Sequence, residues 1–479
     1  MQRPMSLVSL VGVATAVVLL AGCSGSDDTS ESKPESSGTT GTAPSAPKVA
    51  SFDPPKSFVT MSAYGIDRTA KDNEYTLKAG MVGQTSLIAG LTGVTGHNIA
   101  GQAKPWTAPA AAATTTETED VTAPMPVRLD GKDVVAVAYV QNDKGQGTQK
   151  AKGQVVFQWL DSIDGKKVAE VTVDLTPVLG AGQGGDNVAS QAYDPATGQI
   201  VVGVGAAGTE AAEKGGDVFT VYADPKTGKS TVIPFVTPAG VLNGVVAGAK
   251  GGHREGAADG TIVLADGTTG KITKQTPTKQ DYLNPAGSGS RHAYLASNSY
   301  TGDDTYANAL YAVDFASGAV VQTKSQITDD QLSGYTCWGD QAKSVVCTSG
   351  ASGGREIIGF DDTTGKKAWG YTDKSADRVV PAITAAFHGV VYAQTEAQPV
   401  LMDAATGTDV PAASAKPSAG GGSRQGADPA TAYGSDLSLY DGKARSPIAV
   451  TPYGGAYLQA PTGSNYDLQT VLIALAATS

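Results

Sequence analysis

A short turn of the form Asp-x-x-Thr-Gly recurs seven times in this chain, each time between two apolar stretches. The Asp side chain can accept a hydrogen bond from the backbone N–H two residues on, and the closing Gly readily takes a positive φ. Each copy is therefore predicted to close a β-hairpin, and the chain as a whole is predicted to fold as a repeat architecture. The copies are Asp161–Gly165 (with Asp in the fourth place), Asp194–Gly198, Asp224–Gly228, Asp266–Gly270, Asp314–Gly318 (with Ser in the fourth place), Asp361–Gly365 and Asp403–Gly407.

The spacing of the copies distinguishes between repeat architectures. Leaving Asp194 aside, the intervals between successive aspartates are 63, 42, 48, 47 and 42 residues, and Asp194 falls in an earlier hairpin of the second unit. A unit of about 45 residues with four short strands has the size of a propeller blade. Short apolar runs such as Val134–Tyr139 and Val155–Trp159 supply the strands. The sequence predicts an all-β fold, a β-propeller of four-stranded blades, with seven blades favoured and eight left open.

The two ends of the chain are expected to share one blade. Six units carry the outer hairpin turn, and residues 446–477 can form a seventh blade, closed by a strand from Phe58–Ala63 or Glu74–Lys78. Such sharing leaves no open edge in the ring of blades. Residues 83–104 remain over and can supply an eighth blade.

Two of the copies carry a wider pattern. Leu310–Asp314 and Gly359–Trp369 resemble the consensus of PQQ-type β-propeller repeats, Leu-Tyr-Ala-x-Asp-x-x-Thr-Gly-Lys-x-x-Trp, and the resemblance covers residues 150–410. In that family the tryptophan rings lock neighbouring blades together. Ala169, Val232, Lys274, Gln322 and Pro411 stand where the other copies would place this tryptophan. The contacts between those blades must therefore be built differently here.

The resemblance also raises the possibility of a quinone-dependent dehydrogenase. Those enzymes stack the cofactor under a tryptophan and commonly over a disulfide between adjacent cysteines. This chain has no adjacent cysteines and only four tryptophans, Trp106, Trp159, Trp338 and Trp369. Since a shared fold does not carry a function with it, no cofactor is expected and no cofactor-binding residue is assigned.

The N-terminus predicts where the protein is located. An apolar run from Leu7 to Ala21 has the form of a secretory signal and ends in Leu20-Ala21-Gly22-Cys23, which resembles the bacterial lipobox. The resemblance implies a signal peptide over residues 1–22 and lipid on Cys23; the alternative is an ordinary signal peptide with a chance cysteine. Residues 23–53 read as a flexible Ser/Thr/Gly/Pro tether and residues 54–479 as a single propeller domain. The predicted location is the outer face of the cytoplasmic membrane, with the lipid as anchor.

The charge balance restricts the class of partner. Removing residues 1–22 leaves 34 basic and 46 acidic side chains, a formal charge of −12 against −11 for the whole chain. An acidic exterior argues against nucleic acid as a partner and against polybasic docking to membranes. The Ala/Gly/Thr/Asp-rich, Lys-poor composition resembles that of actinobacterial proteins.

The remaining two cysteines form a predicted disulfide. Gly339–Lys343 reads as a turn, so Cys337 and Cys347 face each other across one hairpin. Outside the cytoplasm such a pair is expected to be oxidised. A redox-active pair is the alternative, but the C-x-x-C spacing of such sites is missing.

No motif in the sequence supports a catalytic or metal site. Gly203–Gly208 has the form G-x-G-x-x-G but lacks the helix that a dinucleotide site needs. The four histidines, His97, His253, His292 and His388, are scattered without metal-ligand spacing. The leading interpretation is a non-enzymatic lipoprotein that binds a protein or a cell-envelope ligand. The alternatives are an extracytoplasmic enzyme for a sugar or another small molecule, which acidic side chains converging on one channel mouth would favour, and a sensor or accessory subunit of a membrane complex.

Overall fold

A computed structural model describes residues 49–65, 77–100, 104–110, 116–205, 218–329, 332, 334–349, 354–375, 377–411, 445–459 and 470–479. All of them belong to one compact unit, Pro47–Ser479. Apart from a single helical turn, α1 (Thr176–Leu179), the regular structure in these ranges is β-strand. The all-β prediction is confirmed.

Apart from one small two-stranded hairpin, the described strands form eight antiparallel sheets. We call them blades 1 to 8 in chain order, after an initial strand β1 (Phe58–Gly65). Blade 1 contains β2 (Lys78–Val82), β3 (Thr85–Gly90), β4 (Gly93–Asn98) and β5 (Trp106–Pro109). Blade 2 contains β6 (Thr116–Val121), β7 (Met125–Leu129), β8 (Lys132–Asp143), β9 (Lys152–Asp161) and β10 (Lys167–Asp174), with β6 and β7 sharing the same side of the long β8. Blade 3 contains β11 (Asn187–Tyr193), β12 (Ile200–Gly205), β13 (Val218–Ala223) and β14 (Ser230–Pro234). Blade 4 contains β15 (Thr237–Leu242), β16 (Val245–Lys250), β17 (Thr261–Asp266) and β18 (Ile272–Pro277).

The second half of the ring repeats this plan. Blade 5 contains β19 (Tyr282–Ser288), β20 (His292–Asn298), β23 (Ala309–Asp314) and β24 (Val320–Lys324), with a small hairpin of β21 (Tyr300–Gly302) and β22 (Thr305–Tyr306) between its middle strands. Blade 6 contains β25 (Tyr335–Gly339), β26 (Ser344–Ser349), β27 (Glu356–Asp361) and β28 (Lys366–Thr372). Blade 7 contains β29 (Ala382–Phe387), β30 (Val390–Gln394) and β31 (Pro399–Asp403). Blade 8 contains β32 (Ala449–Thr451), β33 (Gly454–Gln459), β34 (Val471–Ala477) and, as its outermost strand, β1.

The blades form a closed ring. The inner strands of neighbouring blades lie against each other. Strand β2 contacts β7, β6 contacts β11, and the series continues through β15, β19, β25 and β29 to β32, which returns to β2. Between neighbouring blades the apolar side chains of the strand faces pack into separate clusters, such as the one around Phe157, Trp159 and Phe219 between blades 2 and 3. The first strands therefore surround the axis of the ring.

The chain ends share blade 8, as the sequence predicted. Strand β1 pairs antiparallel with β34, from Phe58 opposite Ala477 to Gly65 opposite Val471, which confirms the Phe58–Ala63 segment as the closing strand. Blade 1, residues 78–109, contains the segment that the sequence analysis left unassigned. The ring therefore has eight blades, the number that the sequence left open, and not the seven that it favoured. Blades 1 and 8 carry no Asp-x-x-Thr-Gly turn, which is why the repeat alone favoured a smaller count.

The repeated turns have one geometry. In blades 3 to 7 the turn follows the third strand of the blade, not counting the small β21–β22 hairpin, and in blade 2 it follows β9. The turn at Asp194 joins the first and second strands of blade 3. In each copy the closing glycine donates its N–H to the aspartate carbonyl oxygen, over 2.8–2.9 Å. Its φ lies between 62° and 76°, in the region that favours glycine.

Side chains of the preceding blade cover several of these closing glycines. The Trp369 indole of blade 6 donates to the Ala404 carbonyl oxygen (2.9 Å), and a Cβ on Gly407 would lie only 2.4 Å from its ring. Trp106 of blade 1 covers Gly165 of blade 2 in the same way. The inter-blade tryptophan that the family resemblance implies is therefore present at two junctions.

At three other junctions a different side chain lies over the closing glycine. Lys274 lies over Gly318, with its ammonium group 3.1 Å from the Ser317 carbonyl oxygen. Thr231 lies over Gly270, and the imidazole of His292 lies beside Gly365. The closing glycine at position 228 has no atom within 4 Å of a Cβ built on it.

Candidate functional site

The first strands of all eight blades bring mainly small and apolar side chains to the axis. They enclose a cavity of about 650 Å³, which we call the axial cavity. Its size and mainly apolar lining are those of a ligand site. Its wall includes Ala79, Gly80, Met81, Ala123, Pro124, Pro126, Val241, Leu242, Ala286, Gly287, Ala385, Ala386, Ile448, Ala449 and Val450.

The mouth of this cavity lies at the turns between the first and second strands of the blades. Pro195 and Ala196 come from the turn of blade 3, Ser290 from that of blade 5 and Gln341 from that of blade 6. The Asp194 turn thus lies at the rim of the cavity, because the repeated motif stands here at the end of a first strand.

Among the described residues of the lining, Asp194 carries the single carboxylate, and its oxygens accept hydrogen bonds. Oδ1 accepts from the backbone N–H groups of Ala196 (2.9 Å) and Thr197 (3.3 Å), and Oδ2 accepts from the N–H of Asn243 in blade 4 (2.9 Å). Asp194 therefore joins blades 3 and 4, with both carboxylate oxygens engaged by backbone N–H groups. Lysine and arginine side chains do not occur among the described residues of the lining.

Several uncharged polar groups of the wall make no hydrogen bond with another described residue. They are the Tyr193 hydroxyl, the Trp338 indole N–H, the Ser288 and Thr336 hydroxyls and the Gln341 amide. Burial raises the pKa of the Tyr193 hydroxyl to about 12, so it keeps its proton and can donate. Tyr193, Trp338 and three further neutral polar residues thus line one mainly apolar cavity. This arrangement suits a neutral ligand with both apolar and hydrogen-bonding parts.

The predicted disulfide is confirmed and lies in the wall of the cavity. Cys337 and Cys347 stand directly opposite each other on β25 and β26, with their Cα atoms 4.0 Å apart. The bond closes the hairpin that positions Trp338. The strand of blade 5 passes close by, since a Cβ on Gly287 would lie 2.4 Å from the Cys337 carbonyl oxygen.

The axial cavity does not fit the quinone cofactor that gives the repeat family its name. Pyrroloquinoline quinone carries several carboxylates, and the described lining offers no cation to pair with them. Throughout the described ranges, no group of three His, Cys, Asp or Glu side chains is placed to hold a metal ion. The four histidines lie apart, in blade 1, in the middle loop of blade 4, in blade 5 and in the first turn of blade 7.

The remaining predicted sites differ in how the structure bears on them. Cys23 lies outside the described residues, so lipidation stays a prediction. No described helix is both long and apolar enough to cross a membrane. Sequence reasoning did not single out the polar groups of the cavity, although Tyr193 directly precedes a repeated turn and Trp338 directly follows a disulfide cysteine. Their position beside these motifs was the available signal.

Comparison of the chain with known proteins gave matches among solved structures and none elsewhere. No protein-family model matches the chain, and no curated protein matches it either. Among solved structures, the chain is similar to BamB from Moraxella catarrhalis, with 14% identity, 88% of this chain and 98% of that chain covered, and a TM-score of 0.42. It is similar to the Dos1 propeller (8% identity, 88% and 96% covered, TM-score 0.44) and to quinohemoprotein alcohol dehydrogenase from Comamonas testosteroni (11% identity, 89% and 75% covered, TM-score 0.35). None of the three assigns a ligand or an activity to this chain.

Proposed function

We propose that this protein is an extracytoplasmic lipoprotein, anchored through Cys23, whose propeller binds a ligand without chemically changing it. The ligand, a protein segment or a cell-envelope molecule, presents an uncharged portion to the axial cavity. The lipobox resemblance and the Ser/Thr-rich residues after it support the anchored location. The geometry of the cavity supports the binding role.

The observation that carries the binding role is the chemistry of the lining. An enzyme acting on a sugar would need acidic side chains that converge on the cavity and can exchange protons. In the part of the lining that the structure describes, the one carboxylate is that of Asp194, and three backbone N–H groups hold it. The groups that remain available are neutral donors and acceptors on aromatic and small residues, which recognise a ligand and hold it in place.

Site-specific photo-crosslinking in native membranes tests the binding role. A benzophenone amino acid replaces Gln341 at the mouth of the cavity, and in a control it replaces Ile163, which is 72% exposed on the outer turn of blade 2. We expect a discrete adduct from position 341 that is absent from position 163. Trp338→Ala in the same chain should reduce the yield of this adduct severalfold. Adducts of equal yield from both positions, or none from position 341, would overturn the proposal for the cavity.

The anchored location has its own test. Cells grown with an alkyne-labelled fatty acid should label the wild-type protein and not a Cys23→Ser variant, and the variant should leave the membrane fraction. Labelling that survives Cys23→Ser would contradict the assignment of the anchor.

A further inference from the structure

The side chains of the axial cavity differ between the two halves of the ring. Blades 7, 8, 1 and 2 follow one another around the axis, and the described lining takes from them only side chains without a polar atom. Examples are Met81 of blade 1, Pro126 of blade 2, Ala386 of blade 7 and Val450 of blade 8. Every polar side chain of the described lining comes from blade 3, 5 or 6. The cavity therefore has an apolar half and a polar half.

The polar groups that remain available all lie in the polar half. The five groups named above without a partner among the described residues belong to blades 3, 5 and 6, the Tyr193 hydroxyl and the Trp338 indole among them. By contrast, the Gln191 amide is bound to both backbone groups of Ala123, at 2.7 and 3.3 Å. A ligand hydroxyl placed against the apolar half would meet no described polar side chain, and its loss of water there costs free energy. A sugar with hydroxyls all around its ring therefore fits this cavity less well than a ligand with one polar and one apolar part.

The chain enters the propeller on the face where the cavity opens. The Phe52 N–H donates to the Pro452 carbonyl oxygen (2.7 Å), in the turn between the first and second strands of blade 8. The Asp53 carboxylate is hydrogen-bonded to His388 Nδ1, in the corresponding turn of blade 7. Because the mouth of the cavity lies at these turns, residues 52–53 lie on the same face of the ring as the mouth.

The first described residue lies beside the apolar half of the cavity. Val49 packs against the apolar cluster between blades 8 and 1, which contains Ala79 and Met81 of the cavity wall. Residues 24–48 separate Val49 from Cys23, and a chain of that length spans at most about 90 Å even when fully extended. A lipid on Cys23 would therefore hold the ring close to a membrane by a connection that starts next to the mouth.

We propose that the axial cavity opens toward the membrane that holds Cys23 and binds an uncharged amphipathic lipid of that membrane. The lipid places its apolar chain against blades 7, 8, 1 and 2 and its hydroxylated head group against blades 3, 5 and 6. An anionic lipid is disfavoured, since the described lining has no lysine or arginine to pair with a phosphate. This inference rests on the function proposed above and names the class of ligand for the same cavity.

Fluorescence quenching tests the class of ligand, with the full mature protein, lipidated at its N-terminus, in phosphatidylcholine vesicles. The probe is a diacylglycerol with brominated acyl chains, which quench an indole at short range. We expect quenching that saturates with the probe and is largely lost in Trp338→Phe, because Trp338 is the one tryptophan in the described lining. Dioctanoylglycerol should relieve the quenching, whereas maltose should not.

A matched pair of variants tests the apolar half. Ala386→Glu places a carboxylate where the apolar chain would lie and should weaken the apparent affinity for the probe about tenfold or more. Ile163→Glu makes a similar change on the exposed outer turn of blade 2 and should leave the affinity unchanged. Equal quenching of the wild type and Trp338→Phe would overturn the proposal, as would relief of the quenching by maltose and not by dioctanoylglycerol.

The orientation has a separate readout in the same vesicles. A fluorophore is attached to Ala196→Cys at the mouth or to Thr305→Cys in the β21–β22 hairpin, which joins second and third strands and so lies on the opposite face. Nitroxide-labelled phosphatidylcholine should quench the fluorophore more strongly at position 196, and equal or stronger quenching at position 305 would contradict the membrane-facing mouth.

The failure of this inference can be told apart from the failure of the binding role. A crosslinked adduct from position 341 without quenching of Trp338 by the brominated lipid would keep the binding role and reject the lipid. The absence of both signals would reject both.

Discussion

The junction between blades 6 and 7 and the junction between blades 4 and 5 use the same turn with different contacts. At the first, the Trp369 ring covers Gly407 and its N–H bonds to the turn backbone at 2.9 Å. At the second, the stem of Lys274 covers Gly318 and its ammonium group bonds to the turn backbone at 3.1 Å. Both side chains combine an apolar cover with one donor. A lysine can therefore cover the turn glycine in the way that the tryptophan does.

The junction between blades 5 and 6 replaces the indole with a buried polar cluster. The Asp362 carboxylate accepts from the Arg291 N–H (2.9 Å) and the Tyr294 hydroxyl (3.0 Å), and His292 Nδ1 lies 2.6 Å from the Asp362 carbonyl oxygen. Burial raises the pKa of the nearby Asp314 carboxyl, but hydrogen bonds from Arg291 and Ser317 outweigh it and hold that pKa well below its usual range. Polar contacts that are individually satisfied can therefore take the place of an aromatic lock.

The largest loss of stability is expected from removing a tryptophan that is completely buried. Trp159 has no exposed surface, packs in the core between blades 2 and 3 and donates to the Gly198 carbonyl oxygen at 2.9 Å. Trp159→Ala should lower the free energy of unfolding by about 4 kcal/mol, because it leaves a cavity and an unpaired carbonyl. Guanidinium denaturation, monitored by far-UV circular dichroism, measures this change in the free energy of unfolding. Trp159→Phe, which keeps most of the apolar volume, should cost less than half as much, and equal losses for the two variants would contradict this account.

A matched pair of glycines separates backbone strain from the contact with tryptophan. Gly407 (φ 69°) lies under Trp369, whereas Gly228 (φ 66°) has open space where a Cβ would be. Gly228→Ala should lower the free energy of unfolding by about 1 kcal/mol, the cost of a left-handed alanine. Gly407→Ala should cost about 3 kcal/mol, because the new methyl group also displaces the ring. Equal losses in thermal or chemical denaturation would show that the indole does not rest on the turn.

The sequence was sufficient to predict the parts of the fold that depend on local chemistry. An Asp-x-x-Thr-Gly turn has the same geometry wherever it occurs, so the hairpins, the earlier hairpin at Asp194 and the Cys337–Cys347 pair could be predicted from neighbouring residues. Blade 1 lacks this turn, and its strands are joined by other turns, such as the one at Gly83. The number of blades was therefore left open between seven and eight.

The axial cavity and the covers of the glycines could not be predicted in the same way. Trp106 covers Gly165 from 59 residues earlier in the chain, and the cavity wall collects residues from eight separate strands. Such contacts depend on how the blades pack around the axis. The spacing within one repeat carries no information about that packing.

The junction that closes the ring, unlike the junctions compared above, contains a buried histidine whose protonation should make its stability depend on pH. Between blades 8 and 1 the His97 imidazole stacks on the Tyr64 ring with 3.7 Å between centroids, and its Nδ1 is buried without a partner among the described residues. Desolvation by burial lowers the pKa of His97 from 6.5 to about 4. Between these values the unfolded chain takes up the proton more readily than the folded chain does. Protonation of His97 should therefore leave the free energy of unfolding unchanged above pH 6.5 and lower it as the pH drops toward 4.

The expected loss from this histidine is on the order of 2 kcal/mol between pH 6.5 and 4. His97→Phe keeps a ring against Tyr64 and removes the titration. Denaturation midpoints of the two proteins across this range should therefore diverge as the pH falls, with the wild type losing more. Parallel pH profiles would mean that His97 is protonated in the folded chain without cost.

The smallest change in the free energy of unfolding is expected at Lys274, where the lysine cover can be replaced by the tryptophan of the other junction. Lys274 stands at the position where the repeat family carries its tryptophan. A Cβ on Gly318 would lie 2.6 Å from the Lys274 stem. Lys274→Trp should stabilise the chain by about 0.5–1 kcal/mol, since a ring buries more apolar area over the glycine than a mobile lysine stem. Lys274→Ala, which uncovers the glycine, should destabilise it by a similar amount. If Lys274→Trp is the more damaging change, the space between blades 4 and 5 is already shaped for lysine, and the two junctions differ in their backbones as well as in one side chain.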